Sequence, residues 1–402
     1  MKILYIVTAF PRNENDIITP WLTETIRRLK KKGHTVYIFT SSYKGLKQKQ
    51  IFGIPVYRFR YSFKKWEILT HDESVPERLK EGIFFKFLVI LYILFGCINS
   101  IYIAYKYDFD IIHIHWPFPH IIFGYIIKLL TNKPLICTFH GAEIILLRKR
   151  FPFLIPIFNK IVSHADFNTV NSSFTKQQLE QLIPGENIKI IPFGCSIPLK
   201  KTEHRTKTNE ILFVGRLVER KGVKYLIEAF SEVTSRYNNV RLRIIGEGPL
   251  KNTLLSLTQS LDLQNKVIFN GFVTESELIE AYKKASIFVL PAIIDSKGDT
   301  EGLGIVLIEA INYGVPVIAS NVGGISDIVK DKVTGILVPE KDSSTLSKVI
   351  INLLENKKLK QRLIKNAKEH IKDNFSWETV ISKLDKLYFS FHNQILNQKY
   401  KP

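Results

Sequence analysis

The chain has 402 residues, of which 45% are apolar and 12% aromatic, so it is long enough for two domains and too rich in core-forming residues to be disordered. Its formal net charge of +20 favours an anionic partner, which can be a phosphate-bearing substrate, a membrane surface or a nucleic acid. The three cysteines, Cys97, Cys137 and Cys195, are scattered and lie apart from histidine, which argues against a disulfide framework or a zinc site.

Short apolar strands alternate with helical segments through the first half of the chain. The N-terminus, MKILYIVTAFP, lacks the small-residue cleavage site of a signal peptide and predicts a buried first strand. A helix is predicted at about 20–33, and further strands are predicted for TVYIFT, VYRFRY, DIIHIHW, PLICTFH and IKIIPFG. Near-continuous apolar strands separated by helices are typical of parallel sheets covered on both faces.

Residues 87–105, FLVILYILFGCINSIYIAY, form an uncharged segment of 19 residues. Its length meets the criterion for a membrane span, but Gly96, Asn99 and Ser100 interrupt its apolar character and strand-like segments lie on both sides. The sequence leaves three alternatives open: a helix buried in the domain, a helix that also touches a membrane surface, and a true span.

A polar, basic stretch at 196–209 predicts a linker between a first domain, 1–195, and a second domain, 210–375. The second domain has strand candidates ILFVGR, VRLRIIG, KVIFNG, SIFVLP, PVIAS and GILVP. Helices are predicted at about 223–236, 249–260, 275–284 and 303–313, with more after 343. Residues 376–402 contain an amphipathic helix that we expect to cross back to the first domain. The fold class is α/β, with two doubly wound, Rossmann-like domains facing each other across a cleft, where ligands bind beyond the strand carboxyl ends.

The stretch GDTEGLGIVLIEA follows the strand SIFVLP and places two carboxylates, Glu301 and Glu309, in an apolar, glycine-dotted run. Its helix is predicted to begin near Leu303 or Gly304. Gly302 and Gly304 lack a Cβ, so a ligand can approach the backbone, and the free N–H groups of a helix start favour a phosphate. We therefore predict a diphosphate on the amides of Leu303 and Gly304, a ribose diol on Glu309 and a sugar on Glu301.

Two further stretches support the same geometry. FVGRLVERKG predicts a strand, a turn and a helix beginning near Val223, and Arg216 and Lys221 can converge on one anion around that turn. In RIIGEGPL, Gly246 and Gly248 flank a strand-end turn. A glycine pair is a weak signal by itself, but it falls where the base or ribose of a nucleotide is expected.

The same residues and the net charge allow two other functional interpretations. A glycoside hydrolase could use Glu301 and Glu309, but its carboxyls must face each other across the bond, and two at one helix start do not. A polyanion- or nucleic-acid-binding protein would explain the charge, but the basic residues are dispersed and no such module is present. The stretch DFD at 108–110 imitates a metal-binding motif, but we expect it to lead into the strand DIIHIHW. His113 and His115 on that strand are expected to line the core or the cleft.

The four second-domain motifs, GRLVERKG, IIGEGPL, GDTEGLGIVLIEA and GVPVIASNVGGISDIV, resemble in order and spacing the retaining glycosyltransferases of family 4, also called group 1, which have the GT-B fold. The first domain matches more loosely through DIIHIHW, TFHG and VNSSFTKQ. Many relatives have a glycine pair after the first strand, where this chain has TAFPRNENDIITP, as in the polysaccharide- and glycolipid-assembly members.

The resemblance implies transfer of a sugar from a UDP- or GDP-sugar to a saccharide or lipid-linked acceptor with retention of configuration, without a metal or bound cofactor. Arg216 and Lys221 would hold the leaving diphosphate, Glu301 the donor sugar and Glu309 the ribose, with His140 across the cleft near the donor sugar and the acceptor hydroxyl. The charge and the apolar segment favour a cytoplasmic protein at the inner face of the cell membrane, with an anionic membrane surface and no nucleic acid as partner.

Overall fold

The computed structural model describes residues 1–16, 18–47, 49–72, 75–194 and 208–399, with the backbone alone for residues 76 and 392–399. Most of the predicted linker at 196–209, together with Cys195 and residues 400–402, lies outside the described residues. The chain divides into two compact units. The first contains Met1–Ile191 and Ile381–Pro402, and the second contains Pro192–Val380.

The first unit contains an eight-stranded sheet in the order β3-β4-β2-β1-β5-β6-β7-β8. Its strands are β1 (Lys2–Ile6), β2 (Thr35–Ser41), β3 (Gln50–Ile51), β4 (Ile54–Phe59), β5 (Ile111–His115), β6 (Leu135–Phe139), β7 (Phe167–Val170) and β8 (Ile188–Ile190). All neighbours pair in parallel except β3 and β4. The strand order reverses between β1 and β5, which is where an open α/β sheet forms a ligand crevice.

The helices of the first unit are α1 (Pro20–Lys31), α2 (Val75–Arg78), α3 (Ile83–Lys106), α4 (Pro117–Thr131), α5 (Ala142–Arg150), α6 (Ile155–Val162) and α7 (Ser173–Glu180). Strands β5 and β6 are buried at every residue, since helices cover the sheet on both faces. The apolar runs in the sequence had predicted this burial, but they did not reveal strand β7 or helices α4 to α7.

The second unit contains a six-stranded, wholly parallel sheet in the order β11-β10-β9-β12-β13-β14. Its strands are β9 (Glu210–Val214), β10 (Arg241–Ile245), β11 (Val267–Gly271), β12 (Ile287–Leu290), β13 (Val317–Ser320) and β14 (Ile336–Val338). Its helices are α8 (Val223–Arg236), α9 (Lys251–Ser260), α10 (Glu275–Lys284), α11 (Ile305–Asn312), α12 (Ile325–Ile328), α13 (Ser343–Glu355) and α14 (Lys357–Phe375). The predicted fold class of two doubly wound parallel-sheet domains is confirmed.

Two helix starts differ from the prediction by one or two residues. Helix α9 begins at Lys251 rather than 249, and α11 begins at Ile305 rather than at Leu303 or Gly304. Gly304 is the N-cap of α11 and has a left-handed backbone with φ of +89°, so it turns the chain into the helix without belonging to it.

The C-terminal helix α15 (Trp377–Lys399) begins in the second unit and continues in the first. The Tyr388 hydroxyl lies 2.7 Å from the Tyr5 hydroxyl and 2.7 Å from Nδ1 of His113, and all three side chains are buried. On the same helix Asp385 lies 2.7 Å from Nε2 of His34. These contacts attach α15 to the strands β1 and β5 and to the residue just before β2.

The long apolar segment is one continuous helix, α3, and Gly96, Asn99 and Ser100 do not interrupt it. Instead, Gly96 makes room for α4, because a Cβ on Gly96 would lie 2.2 Å from Cζ of Phe123. Ser100 donates to the Gly96 carbonyl at 2.7 Å. Among the described residues, α3 is the one helix long and apolar enough to cross a membrane. It is not buried on all sides, since several of its large apolar side chains are exposed.

Candidate active site

The predicted phosphate-binding residues lie at the carboxyl ends of the neighbouring strands β9 and β12. The strand order of the second sheet reverses between these two strands, so their ends form its ligand crevice. Arg216 follows β9 by two residues, and Lys221 belongs to a short 3₁₀ turn just before α8. Glu301 lies in the loop that joins β12 to α11.

Lys221 and Glu301 form an ion pair through Nζ and Oε2, and each residue is only 9% exposed. Arg220 approaches the same carboxylate, with Nη1 3.5 Å from Oε2 of Glu301, and its Nε lies 3.5 Å from Asp299. Burial alone would raise the pKa of Glu301, but the charges of Lys221 and Arg220 outweigh it and hold that pKa below its ordinary value. Glu301 is therefore an ionised acceptor between two cations.

Arg216 is exposed, and its guanidinium has no hydrogen bond or ion pair with any residue that the structure describes. The side chain of Lys221 packs against Gly215, the residue before Arg216, since a Cβ on Gly215 would lie 3.6 Å from Cε of Lys221. The backbone that carries Arg216 therefore packs against the side chain of Lys221, which holds Glu301. Such an arrangement can receive an additional anion, for which Arg supplies paired N–H donors.

A glycine pair fixes the backbone of Glu301. The Gly324 N–H donates to the Glu301 carbonyl at 2.9 Å. Gly323 has φ of +57°, and a Cβ there would lie 2.0 Å from the Glu301 carbonyl oxygen. The sequence NVGG after β13 therefore allows the close backbone contact that positions the carboxylate, because no larger residue fits.

Gly302, Leu303 and Gly304 connect Glu301 to helix α11. Leu303 is buried at 3% exposure and packs in the core of the second unit. The Gly304 backbone N–H hydrogen-bonds the Glu301 carboxylate, which adds to the lowering of its pKa. In this structure one of the two amides expected to hold phosphate is thus directed at Glu301 itself.

Glu309 lies inside α11, buried at 7% exposure. It accepts a hydrogen bond from the Tyr282 hydroxyl at 2.8 Å, and the Tyr282 ring stacks on Tyr313 with an interplanar angle of 2°. Burial raises the pKa of Glu309 to about 7, against the opposing effect of the Tyr282 hydrogen bond. The structure does not bring Glu309 into the ion-pair cluster of Glu301, so the two carboxylates have separate environments.

Gly246 and Gly248 are explained by packing between strand-end loops. A Cβ on Gly246 would lie 2.0 Å from the Gly215 carbonyl oxygen, and a Cβ on Gly248 would lie 2.4 Å from that of Leu217. The Leu217 N–H also donates to the Glu247 carbonyl at 2.9 Å. The turn after β10 thereby supports the loop that carries Arg216.

His140 lies in the first unit, after strand β6, in a cluster of aromatic and imidazole rings. Its Nε2 is 3.2 Å from Nδ1 of His115, its ring stacks on Trp116 at 4.4 Å, and its backbone N–H donates to Glu143 at 2.7 Å. Burial, and to a lesser extent the charge of the neighbouring His115, holds the pKa of His140 well below its ordinary value. The ring is therefore neutral near pH 7.

The other polar groups near the predicted motifs have structural partners. His113 is fully buried between Tyr388 and Thr138, its Nε2 lying 2.6 Å from the Thr138 hydroxyl. Asp110 accepts the Lys2 N–H at 2.7 Å as the chain enters β5, and Asp108 pairs with Lys133 at 3.0 Å. Within the described part of the chain, no group of three or more His, Cys, Asp or Glu residues could hold a metal ion.

Three contributors to these sites were not identified from the sequence: Arg220, Tyr282 and Gly323. Arg220 stands directly before Lys221 in ERKG, so its adjacency to a predicted site residue was the available signal. Tyr282 lies 27 positions from Glu309 on a different helix, and no local pattern links the two. The pair Gly323–Gly324 was part of a recognised motif, but its contact with Glu301 depends on the tertiary fold.

Two family models match the chain. The model described as "Glycosyl transferases group 1" matches residues 198–370, and the model described as "Glycosyltransferase Family 4" matches residues 21–197. Together they extend over both compact units. The chain therefore belongs to the group 1, family 4 glycosyltransferases, and the prediction of a glycosyltransferase enzyme with the GT-B fold is confirmed.

Individual relatives and solved structures agree with this assignment. The chain is 23% identical over 402 residues to N-acetyl-alpha-D-glucosaminyl L-malate synthase from Bacillus anthracis, with 97% of each chain covered. It is 27% identical over 270 residues to the GDP-mannose-dependent alpha-(1-6)-phosphatidylinositol monomannoside mannosyltransferase of Mycobacterium tuberculosis, covering 64% of this chain and 70% of that protein. The crystal structure of HepE from Anabaena in complex with UDP superimposes with a TM-score of 0.74 at 18% identity, covering 97% of this chain and 100% of that one.

Proposed function

We propose that the protein transfers a hexosyl group from a UDP- or GDP-sugar to a saccharide or lipid-linked acceptor hydroxyl, with retention of configuration and without a metal. The observation that carries the proposal is the cluster at the reversal point of the second sheet. There an ionised Glu301 is held between Lys221 and Arg220, beside an Arg216 with no ion-pair partner among the described residues. It offers a charged acceptor for sugar hydroxyls next to cations for a diphosphate.

Each residue has a separate role in this proposal. Arg216 and Lys221 bind the diphosphate, because Lys221 has three N–H donors and its contact with Glu301 leaves others available. Glu301 accepts hydroxyls of the donor sugar, and Glu309 accepts the ribose diol. The backbone of Gly302, Leu303 and Gly304 approaches the phosphates, and the turn at Gly246 and Gly248 lies toward the base or ribose.

The reaction exchanges one bond at the anomeric carbon for another. The bond from that carbon to the diphosphate oxygen breaks with its electron pair going to the leaving diphosphate, and the acceptor oxygen bonds to the carbon on the same face. The acceptor proton passes to an oxygen of the departing diphosphate. Arg216 and Lys221 stabilise the charge that develops on the leaving group, which is usually the largest contribution to catalysis. His140, being neutral, can hydrogen-bond the acceptor hydroxyl or the donor sugar.

The acceptor belongs, in this proposal, to cell-surface polysaccharide or glycolipid assembly at the cytoplasmic face of an anionic membrane. The net charge of +20 supports an anionic surface as partner. Two of the similar proteins have names that point the same way: one is a phosphatidylinositol monomannoside mannosyltransferase, and another is a "putative colanic acid biosynthesis glycosyltransferase" of Escherichia coli.

Thermal unfolding in the presence of UDP, GDP and a panel of their sugars tests the donor assignment, because a ligand that binds the folded state stabilises it according to its affinity. We expect one nucleotide series to raise the melting temperature of the wild type and to lose most of this effect in Arg216→Ala. The matched control is Arg236→Ala, an exposed arginine at the other end of α8 that pairs with Glu355. A shift of equal size in Arg216→Ala and wild type would contradict the assignment.

A second measurement tests the chemistry. The glycosidic linkage of the product, determined by NMR, should have the anomeric configuration of the donor, and added chelator or divalent cations should leave the initial rate nearly unchanged. An inverted product, or activity abolished by chelator, would overturn the retaining, metal-independent mechanism.

A further inference from the structure

Helix α3 of the first unit has an exposed apolar face along its whole length. We call this face the α3 stripe. Its members recur every three or four residues, so they lie along one side of the helix. The α3 stripe consists of Ile83, Phe87, Ile90, Leu94, Ile98 and Ile101. Their exposed fractions run from 43% at Ile101 to 83% at Ile83, and the stripe is about 27 Å long at the helical rise of ~1.5 Å per residue.

The opposite side of α3 is fixed in the domain. Phe85, Leu88, Tyr92, Gly96, Ser100 and Ile103 are buried. The Tyr92 hydroxyl lies 2.9 Å from Nε2 of the buried His120, and Gly96 packs against Phe123 on α4. Because these contacts extend from one end of the helix to the other, α3 cannot cross a bilayer without leaving its own core. A membrane can reach the stripe only from outside, with the helix parallel to its surface.

Both ends of the α3 stripe carry aromatic rings with lysines. At the N-terminal end the ring of Phe84 lies 5.5 Å from that of Trp66, and Nζ of Lys65 lies 5.6 Å from the Trp66 ring. At the C-terminal end Tyr105 is 77% exposed, and Nζ of Lys106 lies 5.5 Å from the Tyr107 ring. Amphipathic aromatic rings and lysines are enriched where a protein meets lipid headgroups.

The charges on α3 determine which partner fits. Helix α3 has no acidic residue, and its charged side chains are Lys86 and Lys106. A second copy of this chain would bring the same lysine-bearing ends toward each other, whereas anionic lipid headgroups would neutralise them. The helix therefore complements a surface that is apolar below a negatively charged layer.

We propose that the α3 stripe inserts into the headgroup–acyl boundary of a bilayer containing anionic lipid and holds the first unit on the membrane surface. The stripe supplies the apolar burial, and the lysines beside it supply the attraction to anionic headgroups. The biological meaning of this surface rests on the lipid-linked acceptor of the proposed function, because it would keep the enzyme in the layer where such an acceptor lies.

The test is co-sedimentation of the purified full-length chain with vesicles of phosphatidylcholine alone or mixed with phosphatidylglycerol. Wild type should bind the mixed vesicles, and the triple variant Ile90→Ser/Leu94→Ser/Ile98→Ser should bind about 100-fold more weakly, since three apolar side chains lose their burial in lipid. The control is Phe272→Ser/Val333→Ser, which removes apolar side chains that are 78% and 50% exposed on the second unit and should not alter binding.

A second set of variants separates charge from apolar burial. Lys65→Ala/Lys86→Ala/Lys106→Ala should weaken binding to the mixed vesicles and largely remove the preference for them over phosphatidylcholine. Equal vesicle binding by wild type and the serine variant would overturn the proposal. So would a wild-type dimer in solution that the serine substitutions dissociate, if neither protein binds vesicles.

The donor site gives an independent readout in the same preparations. The serine variant should retain the thermal shift produced by the nucleotide, which also shows that it is folded. Loss of vesicle binding with an intact nucleotide response isolates the membrane surface. A protein that binds vesicles through the α3 stripe but responds to no nucleotide would contradict the proposed function and leave this surface supported.

Discussion

The strand-end clusters of the two units are built from different kinds of polar group. In the second unit, Glu301 is ionised and lies between the cations of Lys221 and Arg220. In the first unit, burial lowers the pKa values of His115, to about 3, and of His140, so their rings are neutral and lie among aromatic side chains. Fixed charges suit the binding of a diphosphate, whereas neutral rings can donate to or accept from a hydroxyl without attracting the anion. The comparison therefore supports the proposal that the second unit binds the leaving diphosphate and that the first unit contacts the acceptor.

The largest expected effect is on turnover when a cation of the second unit is removed. Lys221→Ala should lower kcat/KM by about 10³-fold, because the developing charge on the diphosphate loses a preorganised partner. The assay is the release of the nucleoside diphosphate from the donor in the presence of acceptor, with Arg236→Ala as control. A wild-type rate in Lys221→Ala or in Arg216→Ala would contradict the proposal that cations of the second unit stabilise the leaving diphosphate.

The same substitution also removes a partner of Glu301, so stability has to be separated from catalysis. Lys221→Ala leaves the buried carboxylate with Arg220 as its remaining ion-pair partner among the described residues and should reduce the free energy of unfolding by a few kcal/mol, on the order of the cost of breaking a buried pair. The double variant Lys221→Ala/Glu301→Gln should recover most of that stability without recovering turnover. Recovery of both would mean that Lys221 acts only through folding.

The next effect tests how the second unit holds Glu301 in place. Gly323→Ala would put a Cβ 2.0 Å from the Glu301 carbonyl oxygen, and the backbone must move to relieve the contact. We expect a loss of about 3 kcal/mol in the free energy of unfolding and a higher KM for the donor. Gly185→Ala is the matched control, since Gly185 also has a positive φ, +85°, but open space around it. If both variants lost the same free energy of unfolding, the effect would come from backbone strain alone and not from the contact with Glu301.

Glu309 of the second unit should make the free energy of unfolding depend on pH. Burial raises its pKa to about 7, so the folded state keeps a proton that the unfolded state has already released above its ordinary pKa. The free energy of unfolding should consequently fall as the pH rises from about 4.5 to 7, by up to ~3 kcal/mol. Glu309→Gln should abolish this decrease and be more stable than wild type at pH 8, while binding the donor more weakly.

The control for Glu309 is Glu369→Gln, which removes a carboxylate from an exposed position on α14. It should change neither the pH dependence of unfolding nor the affinity for the nucleotide. If Glu309→Gln gained stability at pH 8 and bound the donor as wild type does, Glu309 would be a buried structural carboxyl without a role in the ribose contact.

The sequence predicted most strands of the two sheets and the position of several candidate site residues after strands, because both depend on short stretches. Strand β12 and most of β9 are apolar, and Arg216, Lys221 and Glu301 lie in the segments that follow these strands. The partner of Lys221 was not predicted, since Glu301 lies 80 positions away and the two were assigned to different parts of a ligand. The exposed face of α3 could not be predicted either, because the helix is apolar around its circumference and only Gly96 and Ser100 indicate which side is packed.

The smallest expected effect concerns the buried imidazoles of the first unit and the helix α15 that packs on them. Tyr388 of α15 lies within hydrogen-bond distance of both Tyr5 and His113, and all three are buried. Tyr388→Phe should reduce the free energy of unfolding by about 1–2 kcal/mol, since two buried polar groups lose a partner. Tyr125→Phe is the control, because its ring packs on His164 and no hydrogen bond of its hydroxyl is found among the described residues. If the two substitutions cost the same, the Tyr388 hydroxyl does not help to hold α15, and the imidazole of His113 does not depend on it for its orientation.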